Sequence, residues 1–266
     1  MGKVLLVQSS ETSNDLGASV TRYLPAVNGS PYVTSTQINT QKTWRTAGTA
    51  SKLGIQIRAN DRTGGTLTLM INGVASALTC AISGTGWVED ATNTASIAAG
   101  DEVNIRVVSG SGGTAFGFKL TSWVFEATTN TVTALGMCSD TSFGTASVTY
   151  FQEFSSQPSA WTATESNVQI NAPVAGTLKN LCAYVSANAR TTDVTMRSRV
   201  NGAFGNLSIT IGAGLSGQFF EDTANADTIA AGDLINHSLT SGTGTESMTF
   251  QVVAVEFETT TGKSFI

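Results

Sequence analysis

The sequence contains little charge. Only 12% of its 266 residues are Asp, Glu, Lys or Arg, whereas soluble globular proteins usually carry roughly 25%. The 14 Lys and Arg residues are scattered rather than gathered into a stripe, and the formal net charge is −5. Binding to nucleic acid through neutralisation of phosphates is therefore not expected.

Cysteine and histidine are also scarce. The three cysteines are Cys80, Cys138 and Cys182, and no C-x-x-C spacing joins any two of them. This pattern predicts neither a disulfide framework nor a zinc ribbon, and it is typical of a protein assembled in a reducing compartment. His237 is the only histidine, so a Ser-His-Asp or Cys-His site would have to use it.

Long hydrophobic runs and nucleotide-binding motifs are missing. The first eleven residues, MGKVLLVQSSE, contain an apolar run of four residues, which is too short for a signal peptide. Leu6 stands where a myristoylation signal requires Ser or Thr. No stretch approaches the roughly 18 apolar residues of a membrane span. There is also no P-loop and no H-E-x-x-H motif. We expect no membrane partner and no cofactor.

What the sequence does contain is a long internal repeat. The phrase EDATNTASIAAGDEVN (Glu89–Asn104) returns as EDTANADTIAAGDLIN (Glu221–Asn236), with nine of sixteen positions identical. The offset is 132 residues here and 128 residues for the earlier pair ASVTRY and ASVTYF, a difference that short loop insertions would produce. We interpret the chain as a tandem duplication, with copy one at 1–128, copy two at 129–260 and a tail at 261–266.

Each copy shows apolar residues alternating with polar ones, for example at 53–57 and 103–107. This period of two predicts half-buried strands. Asn-Gly at 72–73 and 201–202 lies between two such runs and predicts type I′ hairpin turns. About eight strands per copy, with no amphipathic helix, predict an all-β fold of two tandem antiparallel jelly-roll β-sandwiches. Another kind of β-sandwich is the alternative.

The repeated segment IAAGD (Ile97–Asp101 and Ile229–Asp233) predicts a turn that leads into the next strand. Its glycine can take a left-handed conformation, and its aspartate can cap the turn by accepting backbone N–H bonds. An Ala-Gly-Asp turn at this place resembles the corresponding turn of small trimeric jelly rolls, such as the tumour-necrosis-factor and C1q-like group.

A wider resemblance covers nearly all of both copies. AGTLKNL (175–181), Asn201-Gly202, FFEDTAN (219–225) and IAAGD (229–233) together resemble the jelly-roll domains of phage and viral virion proteins, and copy one carries weaker versions. The resemblance implies a capsid shell, a head decoration or cement protein, or a tail-fibre module. It brings no catalytic residues.

Acidic residues are the first candidates for a site. Both copies carry three of them in the repeated phrase: Glu89, Asp90 and Asp101, and Glu221, Asp222 and Asp233. Clustered carboxylates could bind calcium, and a facing pair could hydrolyse a glycoside. We prefer to interpret them as turn caps and exposed loop acids, and we therefore predict no metal site and no catalytic residue.

The repeat also assigns roles to the unusual residues. His237 corresponds to Ile105 and Cys80 to Ile209, which predicts a core or interface position for the histidine and a small buried apolar group for the cysteine.

The four tryptophans divide into two pairs. Trp87 corresponds to Phe219 and Trp123 to Val255, so we predict structural roles for these two. Trp44 and Trp161 have no aromatic counterpart in the other copy. Exposed aromatics can bind a protein partner or stack on a glycan, and packing between the two barrels is an equal alternative.

The expected function is that of a non-enzymatic bacteriophage virion protein, such as a capsid decoration, cement or minor capsid protein. We expect a homo-oligomer, with a trimer favoured, contacts with other capsid proteins, and a place in the virion after assembly in the host cytoplasm. A double-jelly-roll major capsid protein and a tail-fibre or lectin-like glycan-binding module are alternatives. A β-sandwich enzyme is a third, which only the acidic residues favour.

Overall fold

The computed structural model describes the backbone over most of the chain, namely residues 3–9, 16–27, 34–128, 131–144, 149–152, 154 and 161–259. The tail predicted at 261–266 lies outside these residues. In the described ranges the regular structure is strand, apart from two short 3₁₀ turns at Gln37–Thr40 and Glu165–Asn167. None of the helical segments found there could cross a membrane. The prediction of an all-β fold is confirmed.

The chain divides into two compact units, Met1–Thr131 and Val132–Ile266. The described part of the first unit contains β1 (Lys3–Ser9), β2 (Thr21–Pro25), β3 (Lys42–Thr43), β4 (Gly48–Asn60), β5 (Gly65–Ile71), β6 (Val74–Ile82), β7 (Gly86–Ile97), β8 (Glu102–Val108) and β9 (Phe116–Ala127).

The second unit repeats this series of strands. They are β10 (Thr131–Phe143), β11 (Thr149–Gln152), β12 (Ile170–Asn171), β13 (Gly176–Asn188), β14 (Val194–Val200), β15 (Ala203–Ile211), β16 (Gln218–Ile229), β17 (Leu234–Ser241) and β18 (Met248–Thr259). We expected about eight strands in each copy. The ninth is the two-residue strand β3 or β12, which is too short to produce a visible alternation.

The described strands of each unit form two antiparallel sheets, and their strand orders correspond. One sheet of the first unit has the order β1-β9-β4-β7, and its equivalent in the second unit is β10-β18-β13-β16. The other sheets have the orders β2-β8-β5-β6 and β11-β17-β14-β15, with β3 and β12 attached to β8 and β17. Neighbours along the chain therefore often lie in different sheets.

The core of the second unit lies between its two sheets, and both sheets contribute to it. Val194 and Met196 of β14 and Leu239 of β17 face Leu178 and Phe257 of β13 and β18 in one buried cluster. Every second residue of a strand points to the same side, so the alternation in sequence supplies this apolar face. Burial of each such side chain stabilises the fold by about 1.5–3 kcal/mol.

Two backbone features recur at equivalent positions. Asn72 and Asn201 have φ angles of 50° and 51° and are followed by glycines with φ 79°, so the predicted type I′ hairpin turns are confirmed. Lys52 and Asn180 have φ angles of 54° and 55°, and the register of β4 and β13 shifts at these residues. They form β-bulges, which increase the local twist of a strand.

Candidate functional site

The acidic half of the repeated phrase joins the two sheets of each unit. Asp90 of β7 accepts a hydrogen bond from the backbone N–H of Thr79 in β6, at 3.0 Å. It also accepts from the backbone N–H and the side-chain amide of Asn93, at 3.0–3.2 Å. Asp222 of β16 makes the same bonds to Ser208 and Asn225. Each aspartate therefore holds together two edge strands that belong to different sheets.

These two aspartates are buried, with exposed fractions of 8% and 6%. Burial alone would raise the pKa of Asp90. The hydrogen bonds from Asn93, Thr79 and Thr92 outweigh it and hold the pKa below its usual range. The pKa of Asp222 is lowered in the same way, against burial, by bonds from Ser208 and Asn225. Their interpretation as exposed loop acids was wrong, because they lie within strands and their oxygens are used by the fold.

The second half of the repeated segment connects the turn at Asp101 with the hairpin at Asn72-Gly73. Asp101 accepts from the backbone N–H of Ala98 and from the side-chain amide of Asn72, each at 2.7 Å. Asn72 in turn accepts from the backbone N–H of Glu102 at 2.8 Å. The prediction that this aspartate caps a turn is confirmed, and its link to the Asn-Gly hairpin is a further finding.

The second unit has the same hydrogen bonds between its turn aspartate and its hairpin asparagine. Asp233 accepts from Ala230 and Asn201 at 2.7 Å, and Asn201 accepts from the backbone N–H of Leu234 at 2.9 Å. The bond from Asn201, followed by that from Ala230, lowers the pKa of the Asp233 carboxyl. The carboxylate therefore stays ionised, and keeps its donors, to a lower pH than a free aspartate would.

The structure does not gather the repeated acids into one site. In the part of the chain that it describes, no three His, Cys, Asp or Glu side chains lie close enough together to hold a metal ion. Asp90 and Asp222 lie in the middle of strands, whereas Asp101 and Asp233 lie in turns. Donors at equivalent positions engage these carboxylates in both units, so their repetition has a structural cause.

A buried arginine fixes a further loop in each unit. Arg62 donates from Nη1 to the carbonyl of Gly112 at 2.8 Å. Arg190 donates to the carbonyls of Glu246 and Gly244 at 2.9 and 2.6 Å, and its guanidinium lies 5.4 Å from the centre of the Phe143 ring. The Gly-rich segment between β8 and β9 and the one between β17 and β18 are therefore each held by an arginine in the loop that follows β4 or β13.

Trp44 does not lie where a ligand could reach it. Its side chain is 3% exposed, and its ring packs 5.2 Å from that of Trp123 and 5.1 Å from that of Phe125. Its backbone bonds to Gly100 and Asp101 at 2.6 Å, where Ala172 makes the equivalent bonds in the second unit. The proposed contact of Trp44 with a glycan or partner was wrong, because the large ring fills the first unit's core.

Trp161 is half-buried, and its ring also points inwards. The ring centres of Phe143, His237 and Phe250 each lie 5.7 Å from that of Trp161. Its indole Nε1 is buried and has no hydrogen-bond partner in the part of the chain that the structure describes. The ring therefore contributes packing and an unused donor to the inside of the second unit. No observation favours its proposed contact with a glycan.

His237 belongs to the core of the second unit, as predicted, and is fully buried. Its neighbours were not predicted. Gln152 of β11 and Ser198 of β14 lie directly opposite it on the two adjoining strands, and Ser198 donates to Asp227 of β16 at 2.5 Å. We call these four residues, Gln152, His237, Ser198 and Asp227, the polar row.

The equivalents of the polar row in the first unit are apolar. Leu24 lies opposite Ile105, and Ile105 lies opposite Leu69, in the places of Gln152, His237 and Ser198. Ala95 stands in the sequence 132 residues before Asp227. Burial alone lowers the pKa of His237 from 6.5 to about 3, so the imidazole is neutral at ordinary pH.

The described cysteines are buried. Cys80 and Cys182 are 5% and 2% exposed. Burial, reinforced by the nearby Asp90, raises the pKa of the Cys80 thiol to about 11. The thiol is therefore protonated at neutral pH and is a poor nucleophile, and the prediction of a small buried apolar group is confirmed. The side chain of Cys138 lies outside the described residues.

The exposed large hydrophobic side chains are spread over both units. Ile38, Val74 and Trp87 belong to the first unit and Phe204, Leu215 and Leu234 to the second, with exposed fractions of 38–68%. Phe204 covers the guanidinium of Arg199 at 4.4 Å, and Phe151 covers the same group at 5.2 Å. These side chains are available for contact with another surface.

No family model matches the chain, and neither does any curated protein. Among solved structures, it is similar to the VP2 subviral particle of infectious bursal disease virus. The sequence identity is 11%, the TM-score is 0.28, and the match covers 98% of this chain and 74% of that chain. At this TM-score the likeness carries no argument about function.

Proposed function

We propose that this chain is a non-enzymatic structural protein of a virus particle. The observation that carries the proposal is the use of the repeated residues. The aspartates that the two copies share are engaged in joining edge strands and locking turns. Duplication has therefore preserved a scaffold, which is what a protein that works through its surfaces requires.

The strand order supports a jelly roll in each unit. Numbering the eight longer strands of a unit in chain order, one sheet has the order 1-8-3-6 and the other 2-7-4-5. This is the order that results when two Greek keys are wrapped into a double sheet. The motifs that resemble phage and viral jelly-roll domains fall on these strands and their turns.

The surface supports packing into an assembly. Charged residues make up only 12% of the chain, and six large hydrophobic side chains of the described residues are more than a third exposed. Exposed apolar groups mark contact surfaces when they join into patches. We propose a homo-oligomer, with a trimer favoured, that contacts other capsid proteins, and light scattering would give a multiple of the 27.5 kDa chain mass.

Within the virion we favour the role of a capsid decoration, cement or minor capsid protein of a bacteriophage, assembled in the host cytoplasm. A double-jelly-roll major capsid protein is the alternative. Such shells usually carry helices and long loops, and the described residues contain only two 3₁₀ turns of three and four residues.

A glycan-binding tail-fibre module is a second candidate, and Trp87 is the residue that would bind the glycan. Trp87 is 44% exposed, and its Nε1 donates to Glu89 at 3.2 Å. A ring held open on a sheet surface beside a carboxylate could stack on a sugar. Glycan-array binding that is lost in Trp87→Ala would support this candidate, and an unchanged array with Trp87→Ala would remove it.

Cryo-electron microscopy of purified particles would test the favoured role. We expect paired β-sandwiches on the outer surface of a separate shell protein. Paired sandwiches forming the shell itself would favour the major capsid alternative, and their presence only in tails or fibres would favour the glycan-binding module.

A further inference from the structure

The inside of the second unit contains polar atoms that have no hydrogen-bond partner among the described residues. Both side-chain atoms of Gln152, both ring nitrogens of His237 and the indole nitrogen of Trp161 are buried without a hydrogen bond. Buried polar groups nearly always have a partner, and each exception calls for a physical cause such as an internal water or ion. Five such atoms on three side chains form too large a group to be left unpaired.

These atoms lie close together. Gln152 and His237 are opposite each other on the neighbouring strands β11 and β17, so their side chains leave the sheet on the same side, with Cβ atoms roughly 4.5–5.5 Å apart. The Trp161 ring meets the His237 ring edge-on, with 5.7 Å between the ring centres. The centre of the Phe154 ring lies 5.1 Å from that of His237. The five atoms therefore belong to side chains that meet among aromatic rings.

The donors and acceptors of these side chains indicate what kind of molecule they could bind. A neutral imidazole and an amide each offer a donor and an acceptor, and the indole offers a donor. The nearest carboxylate in the polar row, Asp227, is already bonded to Ser198 and to the backbone N–H of Asn206. None of the three side chains Gln152, Trp161 and His237 carries a charge, so an ion would meet no counter-charge among them. A neutral molecule that both donates and accepts hydrogen bonds fits these three side chains.

The first unit provides a comparison within the same chain. The positions equivalent to Gln152 and His237 hold Leu24 and Ile105, both fully buried and apolar. The sheets there have the same order, so the fold does not require a polar pair at this place. The pair distinguishes the second unit from the first.

We propose that Gln152, Trp161 and His237 line an internal site in the second unit that holds ordered water. An internal water typically makes about three hydrogen bonds to buried groups that would otherwise be unsatisfied. Here the imidazole, the amide and the indole supply them. The site links β11 and β17 to Trp161 through solvent, where the first unit uses direct apolar packing.

A crystal structure of the full chain, at a resolution that shows internal water, tests the proposal. We expect ordered density within hydrogen-bond distance of a His237 ring nitrogen and of the Gln152 amide. Direct bonds among these side chains or to other protein groups, with no density between them, would overturn it. Density for an ion would also overturn it, because the site is inferred to be neutral.

Solution measurements on a matched variant give a second test. Gln152→Leu combined with His237→Ile copies the first unit, and we expect it to fold and to lose the long-lived water signal in oxygen-17 relaxation dispersion. A signal of equal amplitude in the variant and the wild type would contradict the proposal. Should the variant fail to fold, the density around His237 in the wild type decides the question.

Discussion

Asp90 of β7 accepts a hydrogen bond from the backbone N–H of Thr79 in β6, and Asp222 of β16 accepts the equivalent bond from Ser208 in β15. In each unit the two strands belong to different sheets and follow each other in the chain. An aspartate therefore closes one open edge of each sandwich, at a pair of described strands that no ladder of backbone hydrogen bonds joins.

Removal of this carboxylate should destabilise its unit. In Asp222→Ala the backbone N–H groups of Ser208 and Asn225 lose their acceptor, and we expect a loss of about 1–3 kcal/mol. Urea unfolding would measure it. Glu89→Gln is the control, because that side chain is exposed, and its effect should stay within about 0.5 kcal/mol. Equal effects of the two changes would contradict the structural role.

The same aspartates predict how stability depends on acid. Hydrogen bonds hold the pKa of Asp90 and Asp222 below its usual range in the folded state. Their stabilisation is therefore complete above the unfolded value, roughly 3.9, and is lost as the pH falls through the folded value. In Asp90→Asn the loss of stability between pH 5 and pH 2 should be smaller than in the wild type. A parallel pair of curves would count against this prediction.

Asn201 contributes to stability in two ways that substitutions can separate: through its side-chain hydrogen bonds and through its left-handed backbone conformation. Asn201→Gly removes the side-chain bonds to Asp233 and Leu234 but suits the φ angle of 51°. Asn201→Ala removes the same bonds and adds left-handed strain of roughly 1–2 kcal/mol. We expect alanine to be more destabilising than glycine by about that amount in thermal unfolding. A glycine variant as stable as the wild type would show that the side-chain bonds contribute nothing.

The buried histidine should make the second unit sensitive to moderate acid. Burial lowers the pKa of His237 to about 3 in the folded state, whereas the unfolded chain binds the proton near 6.5. Falling pH therefore favours unfolding, by about 2 kcal/mol at pH 5. His237→Ile should lose this dependence between pH 7.5 and pH 5, with the first unit unchanged. Identical pH profiles for variant and wild type would refute the assignment.

The arginine clamp predicts a local effect. Arg190 holds the carbonyls of Gly244 and Glu246, and lysine cannot reproduce the planar fork of a guanidinium. In Arg190→Lys we expect faster amide hydrogen exchange in residues 241–246 and little change in the equivalent loop at 109–114. Uniformly faster exchange over the whole unit would instead indicate global destabilisation.

Much of the fold could be predicted because it follows local rules. Alternation marked the strands, and Asn-Gly fixed the hairpins through the positive φ of Asn72 and Asn201. The equivalence of His237 with Ile105 placed the histidine in the core. A local pattern also suggested that Asp101 caps its turn, since the acceptor and the Ala98 donor are three residues apart.

What could not be predicted depends on pairings distant in sequence. Thr79 reaches Asp90, and Arg190 reaches Glu246, only after the sheets have formed. The lack of an aromatic counterpart for Trp44 suggested exposure, but the neighbouring Trp123 and Phe125 bury the ring. Nothing in the sequence around Gln152 alone indicated a buried polar side chain. A comparison of aligned strand positions between the two copies would have shown it replacing Leu24.

We propose that this chain is a structural component of a virus particle. Quantitative mass spectrometry of density-purified particles from the source culture, which counts this chain against the main shell protein, tests it most directly. We expect the chain to co-purify with particles in a fixed ratio: many copies for a decoration protein, near-parity for a shell protein, few for a fibre component. Its absence from particles that contain the shell protein would contradict a role in the virion.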